Sequence, residues 1–183
     1  MTLDSYLTFC LAAIGLAVVP GPTVTVIIAN ALRYGTRAGL MNIAGTQVGV
    51  LIWLALASVG LTALIAVMGA WFDLLRYAGA AYLIWLGIKL LRSKGDLAVA
   101  TDRVRPRGSF FLQGFIVIMS NPKILVLFGV LIPPFLTRGG NAFQETLLLG
   151  GTFIVIAAAS DTVYALAAGK AGTWLKQSRI RVI

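Results

Sequence analysis

Histidine is absent from this chain of 183 residues, and cysteine occurs once, as Cys10 in an apolar run. Without imidazole and with a single thiol, the usual soft-metal ligand set is missing, and so are a Cys–His nucleophilic arrangement, an internal disulfide and a dithiol redox pair. No other nucleophile–base grouping stands in for them. The sequence carries no signature of a catalytic residue, a metal site or a cofactor, and does not read as an enzyme.

Charge is also scarce. Only 11% of the residues are charged, while 59% are hydrophobic and the mean hydropathy is +0.93. Soluble domains carry about 25% charged residues, so this chain has too few to cover a water-facing surface. At roughly 20 apolar residues per helical span, its length holds about five or six spans. The fold class expected is an all-α integral membrane protein, one transmembrane domain over 1–183 with no soluble domain attached. Acidic residues number six against fifteen Lys plus Arg, for a net charge of +9. In a membrane protein such an excess collects in cytoplasmic loops, so the partner it implies is the lipid bilayer and not nucleic acid.

The hydropathy pattern predicts five spans. Residues 5–32 and 38–72 hold no charge; residues 74–91 carry Arg76 and Lys89 near their ends, where long basic side chains snorkel to the interface. Residues 110 to about 136 and about 147 to 168 follow, with one interior charge each, Lys123 and Asp161. The first charge after Met1 is Asp4 and the first Arg is Arg33, so the opening segment reads as a retained span and not as a cleaved leader. Residues 38–72 are long enough for a tight hairpin of two short spans. One long, tilted or bent helix agrees better with the charges.

Counting Lys and Arg on alternate sides orients the chain. One side collects Arg33, Arg37, Lys89, Arg92, Lys94, Arg103, Arg105, Arg107, Lys170, Lys176, Arg179 and Arg181; the other has Arg76 and Arg138. The basic side is cytoplasmic, which puts the N-terminus outside, a cytoplasmic loop at 92–109 and residue 183 in the cytoplasm.

Two spans contain helix breakers at depth. Pro20-Gly21-Pro22 interrupts the first, and Asn121-Pro122-Lys123 the fourth. Proline removes a backbone donor and clashes with the preceding turn, and the freed carbonyls are tolerated in a bilayer only against protein or a water-filled cavity. The two spans enter from opposite sides, so the chain reads as two inverted halves, about 1–91 and 110–183, each with a broken helix near mid-depth. Matching interruptions of this kind point to a transporter substrate site, although kinks also serve packing alone.

Asp161 and Lys123 are costly inside a membrane and normally face a polar interior. They form either a buried structural pair or part of a site. In a site, Asp161 holds an ammonium group or a transported proton, while Lys123 and the amides opening the half-helix after Pro22 hold a carboxylate. That combination suits a zwitterion such as a free amino acid. Thr23, Thr25, Asn30, Asn42, Thr46, Gln47, Ser120 and Tyr164 are further polar groups in or near spans, each more often an interhelical hydrogen bond than a ligand contact. Gly45 and Gly49, and likewise Gly35 and Gly39, form GxxxG patterns whose use is close helix packing. Trp53, Trp71, Trp85 and Trp174 read as interface anchors or packing residues.

In this order, Pro20-Gly21-Pro22, the spaced glycines 35, 39, 45 and 49, Gly79-Ala80-Ala81-Tyr82-Leu83 with Gly87 and Lys89, Gly114-Phe115, Asn121-Pro122-Lys123 and Asp161 resemble the LysE/RhtB family of bacterial amino-acid exporters. The resemblance covers residues 3 to about 176. It implies an inner-membrane secondary transporter that exports homoserine, threonine, homoserine lactone, lysine or other neutral amino acids, with proton coupling and a homo-oligomer as further expectations. It implies a three-plus-three inverted repeat, with Pro20, Gly21, Pro22, Asn121, Pro122, Lys123 and Asp161 matching the family pattern at the substrate or ion site, to which the polar Thr23 beside the first break is added from the sequence. Family members usually carry a sixth span after the basic segment, whereas this sequence stops at Ile183. The second half is therefore expected to be incomplete, as a truncated product or with a partner chain or lipid in the gap. The alternatives to amino-acid export are a divalent-cation exporter and a non-transporting remnant.

Overall fold

A computed structural model describes residues 1–67, 109–137 and 139–180, all helical or in short connections. The expected third span at 74–91 and the 92–107 loop lie outside the described residues.

Helix α1, Leu3–Val18, opens on Thr2, whose hydroxyl accepts from the Ser5 amide at 3.3 Å, with Asp4 in the first turn where the helix dipole favours an acid. It buries a stripe of Phe9, Ala13 and Ala17, spaced four apart, and turns Leu3, Leu7, Leu11 and Val18 outward. Because the exposed face is as apolar as the buried one, it suits lipid. Pro20 ends this helix, and α2, Pro22–Tyr34, restarts with proline at its first position, where the missing N–H costs nothing. The two are bent by 52°.

Gly35 then turns the chain in a single residue at φ +91°, a conformation that L side chains rarely adopt. This glycine serves the turn and not the helix contact expected from its GxxxG spacing. Gly39 does meet neighbours, since a Cβ there would lie 3.0 Å from Ala31 Cβ and 3.1 Å from Ala165 Cβ.

Helix α3, Thr36–Val67, runs unbroken for 32 residues, about 48 Å at 1.5 Å per residue, which leaves no hairpin within it. Helix α4, Phe110–Met119, is capped by the Ser109 hydroxyl and leads into α5, Pro122–Val126, which continues through a π turn at Leu127–Leu131 and a 3-10 turn at Pro133–Phe135. The α4–α5 pair bends by 50°, nearly the angle of the first pair. Helix α6, Ala142–Ile180, begins after Asn141, whose side chain accepts from the Gln144 amide at 3.1 Å. It extends well beyond residues 147–168, because that cap starts it early and the basic residues after Ala168 continue the helix. Two unbroken spans and two bent ones thus account for the four expected within the described residues.

Glycines set the helix spacing. A Cβ on Gly45 would run into the Phe111 carbonyl, one on Gly49 into the Ile118 side chain, and one on Gly114 into the Asn42 carbonyl, so α3 and α4 touch backbone to backbone. Gly169 and Gly172 of α6 meet Thr36 and the Leu32 carbonyl in the same way. These contacts bring the ends that carry Arg33, Arg37 and Lys170 together. At the opposite end the N-terminal ammonium lies 3.3 Å from Glu145, whose carboxylate also accepts from the Thr137 amide and hydroxyl at 2.7 Å.

The bent pairs cross antiparallel. Phe9 packs edge-on against Phe135 with ring centroids 5.4 Å apart, Thr23 meets Asn121, and Asn30 meets Gln113, one chain descending as the other climbs. An apolar core of Phe9, Leu127, Ile132 and Leu149, all fully buried, fills the end near Glu145. A smaller cluster of Ile27, Ile43 and Ala165 lies toward the basic end.

Candidate functional site at the crossing of two broken helices

Breaking a helix orphans carbonyl groups, and their partners locate the site. Pro22 has no N–H to offer the Val18 carbonyl four residues earlier; the Tyr164 hydroxyl of α6 donates to it instead, at 2.8 Å. The next carbonyl, that of Val19, accepts from Lys123 Nζ at 2.8 Å. The second break is closed more locally. Asn121 N–H donates to the Ile118 carbonyl at 3.1 Å, and the Asn121 side-chain oxygen caps α5 by accepting from the Lys123 amide at 3.0 Å. The other half of that side chain, Nδ2, donates to Thr23 Oγ1 at 2.8 Å, tying the breaks together.

Between the breaks lies a cavity of about 40 Å³. Gly21, Thr23 and Val24 line it from the first break, Ile118, Asn121, Lys123 and Ile124 from the second, Thr46, Gln47 and Val50 from α3, and Phe153, Ala157 and Asp161 from α6. The volume admits a few waters and no amino acid. Asp161 is only 6% exposed, and among the described residues no donor hydrogen-bonds its carboxylate. Nor does Lys123 approach it within 4.0 Å, so the two line one cavity without a direct ion pair. Among the described residues no three His, Cys, Asp or Glu side chains gather as a metal site.

Of the residues singled out from the sequence, Gly21, Thr23, Asn121, Lys123 and Asp161 come together on the cavity wall. Pro20, Pro22 and Pro122 are exposed and do not line the cavity; they shape the chain at the bends. Gly21 has an extended backbone, φ −124° and ψ −170°, and supplies no side-chain cap to α2. The first amides of α2 are thus left without a side-chain partner beside the cavity.

Thr46 and Gln47 also line it, though nothing in the sequence separated them from other polar residues in spans. Thr46 is occupied, donating to the Asn42 carbonyl at 3.0 Å. Gln47 is not: its Nε2 and Oε1 are buried with no hydrogen-bond partner among the described residues. Asn30 and Asn42 are placed elsewhere. Asn30 Nδ2 donates to Asn42 Oδ1 at 2.7 Å and to Gln113 Oε1 at 2.8 Å, and Asn42 Nδ2 donates to the Phe110 carbonyl, joining α2, α3 and α4 toward the basic end.

Residues 14–183 match the LysE type translocator family. The chain is 33% identical over 177 residues to a homoserine/homoserine lactone efflux protein of Salmonella typhimurium, covering 96% of this chain and 86% of that one. It is 30% identical over 181 residues to an uncharacterized membrane protein of Vibrio cholerae, covering 98% and 88%. A leucine efflux protein of Salmonella choleraesuis is 34% identical over 128 residues, covering 68% and 59%. No solved structure matches. The family match runs through both breaks, α3 and Asp161, and on that extent this membrane chain belongs to the LysE type translocators.

Proposed function

We propose that this translocator exports small free amino acids across the bacterial inner membrane by proton-coupled secondary transport. The observation that carries the reading is the Asp161 carboxylate, buried at the crossing of two helix breaks with no hydrogen-bond donor among the described residues. A carboxylate in that position is completed by a cation, either a substrate ammonium or a proton. On the facing wall, Lys123 has two ammonium protons beyond the one given to Val19, and the uncapped start of α2 adds positive potential. Together they complement a zwitterion. The names of the relatives, which specify efflux of homoserine, homoserine lactone and leucine, support the same class.

The cavity is too small for such a substrate, so loading requires the two halves, about 1–91 and 110–183, to part around it. The antiparallel crossing of the bent pairs supports their treatment as inverted halves. We place the N-terminus outside and residue 183 in the cytoplasm, because the ends bearing Arg33, Arg37 and Lys170 share one face of the bundle. Labelling of cysteines introduced at Thr2 and Lys170 in intact cells checks this: Thr2→Cys reacts and Lys170→Cys does not.

The deciding experiment is efflux from dipeptide-loaded bacteria, with membrane-inserted protein quantified in parallel. Wild type accelerates loss of the free amino acid and an uncoupler slows it; Asp161→Asn returns efflux to background at equal insertion. Unchanged efflux from Asp161→Asn removes that carboxylate from the mechanism.

A further inference from the structure

The polar side chains around the cavity differ in what they have left to offer. Thr23, Thr46, Asn121 and Lys123 each engage a protein group. Gln47 engages none among the described residues, although both ends of its amide are buried. Gly45 and Gly49 flank it in α3, and both are pressed against α4, so the backbone that carries Gln47 is fixed on either side while its side chain lines the cavity.

A buried amide with donor and acceptor both unpaired is unfavourable, and in a binding site that deficit becomes selectivity. A ligand that completes the hydrogen bonds is favoured, and one that leaves them unmade is rejected. The missing partner must donate to Oε1 and accept from Nε2. A hydroxyl does both through one atom, an ammonium only donates, a carboxylate only accepts and an alkyl group does neither. The charged ends of a zwitterion already have complements in Asp161 and in Lys123 with the first amides of α2. What remains for Gln47 is the substrate's side chain.

We infer that Gln47 reads that side chain, and that the preferred cargo is a small hydroxylated amino acid over its alkyl analogue. The inference rests on the export reading above and adds to it the residue that sets selectivity among the amino acids exported.

Homoserine and norvaline test it, since they differ by a hydroxyl in place of a methyl. Efflux of each is measured from cells expressing the full chain, as wild type and as Gln47→Leu at matched insertion. Wild type is expected to favour homoserine by about tenfold or more, and Gln47→Leu to bring the ratio near one or invert it. A wild type indifferent to the hydroxyl, or a preference that survives in Gln47→Leu, overturns the assignment and leaves amino-acid export standing. A well-inserted wild type that moves neither compound, nor leucine or lysine, overturns export and this inference together. Where Gln47→Leu fails to insert, thermal unfolding of purified wild type decides: stabilisation by homoserine and not by norvaline supports the assignment, and equal shifts reject it.

Discussion

The Asn121 amide donates to Thr23 Oγ1 at 2.8 Å across 98 positions of sequence, so the two helix breaks are one hydrogen-bonded unit. The same side chain caps α5 through its oxygen. Asn121→Ala removes both bonds and is expected to cost about 1–3 kcal/mol. Thr23→Val removes only the link, for roughly 1 kcal/mol or less. Thermal unfolding in detergent measures both, and the double variant should be no less stable than Asn121→Ala alone. Full additivity is the result that contradicts a shared bond.

Lys123 stands in for the helix donor missing at Val19, and its stem passes Gly21, with Cδ 3.8 Å from where a Cβ would sit. Lys123→Met keeps the stem and removes both the charge and the donor. Export is expected to fall about tenfold or more, the loss of roughly 1.4 kcal/mol or greater, while the protein still inserts. Efflux normalised to membrane-inserted protein is the readout, and wild-type rates from Lys123→Met would place the lysine outside the transport cycle.

Two glycines should respond in opposite directions. Gly45→Ala puts a methyl into the Phe111 carbonyl and must push α3 off α4, at a cost of about 1–3 kcal/mol or more. Gly15 lies in the interior of α1 with nothing within 4 Å of an added Cβ, and Gly15→Ala should stabilise by roughly 0.5–1 kcal/mol. Melting temperatures of the two purified variants check the contrast. Similar shifts would mean that the α3–α4 contact yields more easily than its geometry indicates.

Asn30 supplies the donors for two acceptors, Asn42 Oδ1 and Gln113 Oε1. Leucine at this position leaves both oxygens unpaired, an expected loss of about 1–3 kcal/mol. An ionised aspartate has the right shape but only acceptors, so Asn30→Asp should be at least as damaging as Asn30→Leu. A stable Asn30→Asp protein, measured by thermal unfolding at neutral pH, would show that the amide donors are dispensable.

Much of this architecture follows from local chemistry. The breaks at Pro20-Gly21-Pro22 and Asn121-Pro122-Lys123 were legible because proline has no amide hydrogen wherever it sits. Asp161 stood out because a carboxylate in an apolar run has no cheap resting place, and the alternation of basic loops already opposed the directions of the two bent spans. These signals depend on a residue and its immediate neighbours, so they survive without knowledge of the fold.

Which faces meet was decided only by tertiary structure. In a bilayer the lipid-facing side of α1, with Leu3, Leu7 and Leu11, is as apolar as the buried stripe of Phe9 and Ala13, so hydropathy carries no directional signal. Gln47 and Gln113 are the same amide in two apolar helices. Gln113 meets Asn30, whereas Gln47 is left unpaired at the cavity. Gly35 and Gly45 belong to the same kind of spaced pair, yet one forms a turn and the other a backbone contact. The Tyr164 hydroxyl that closes the first break comes from 146 positions away. Sequence alone determined that the chain breaks twice inside the membrane and that two charges, Lys123 and Asp161, both of the second half, lie at depth. Packing register, a property of whole helices in contact, decided which polar groups are satisfied by the protein and which are left for a substrate.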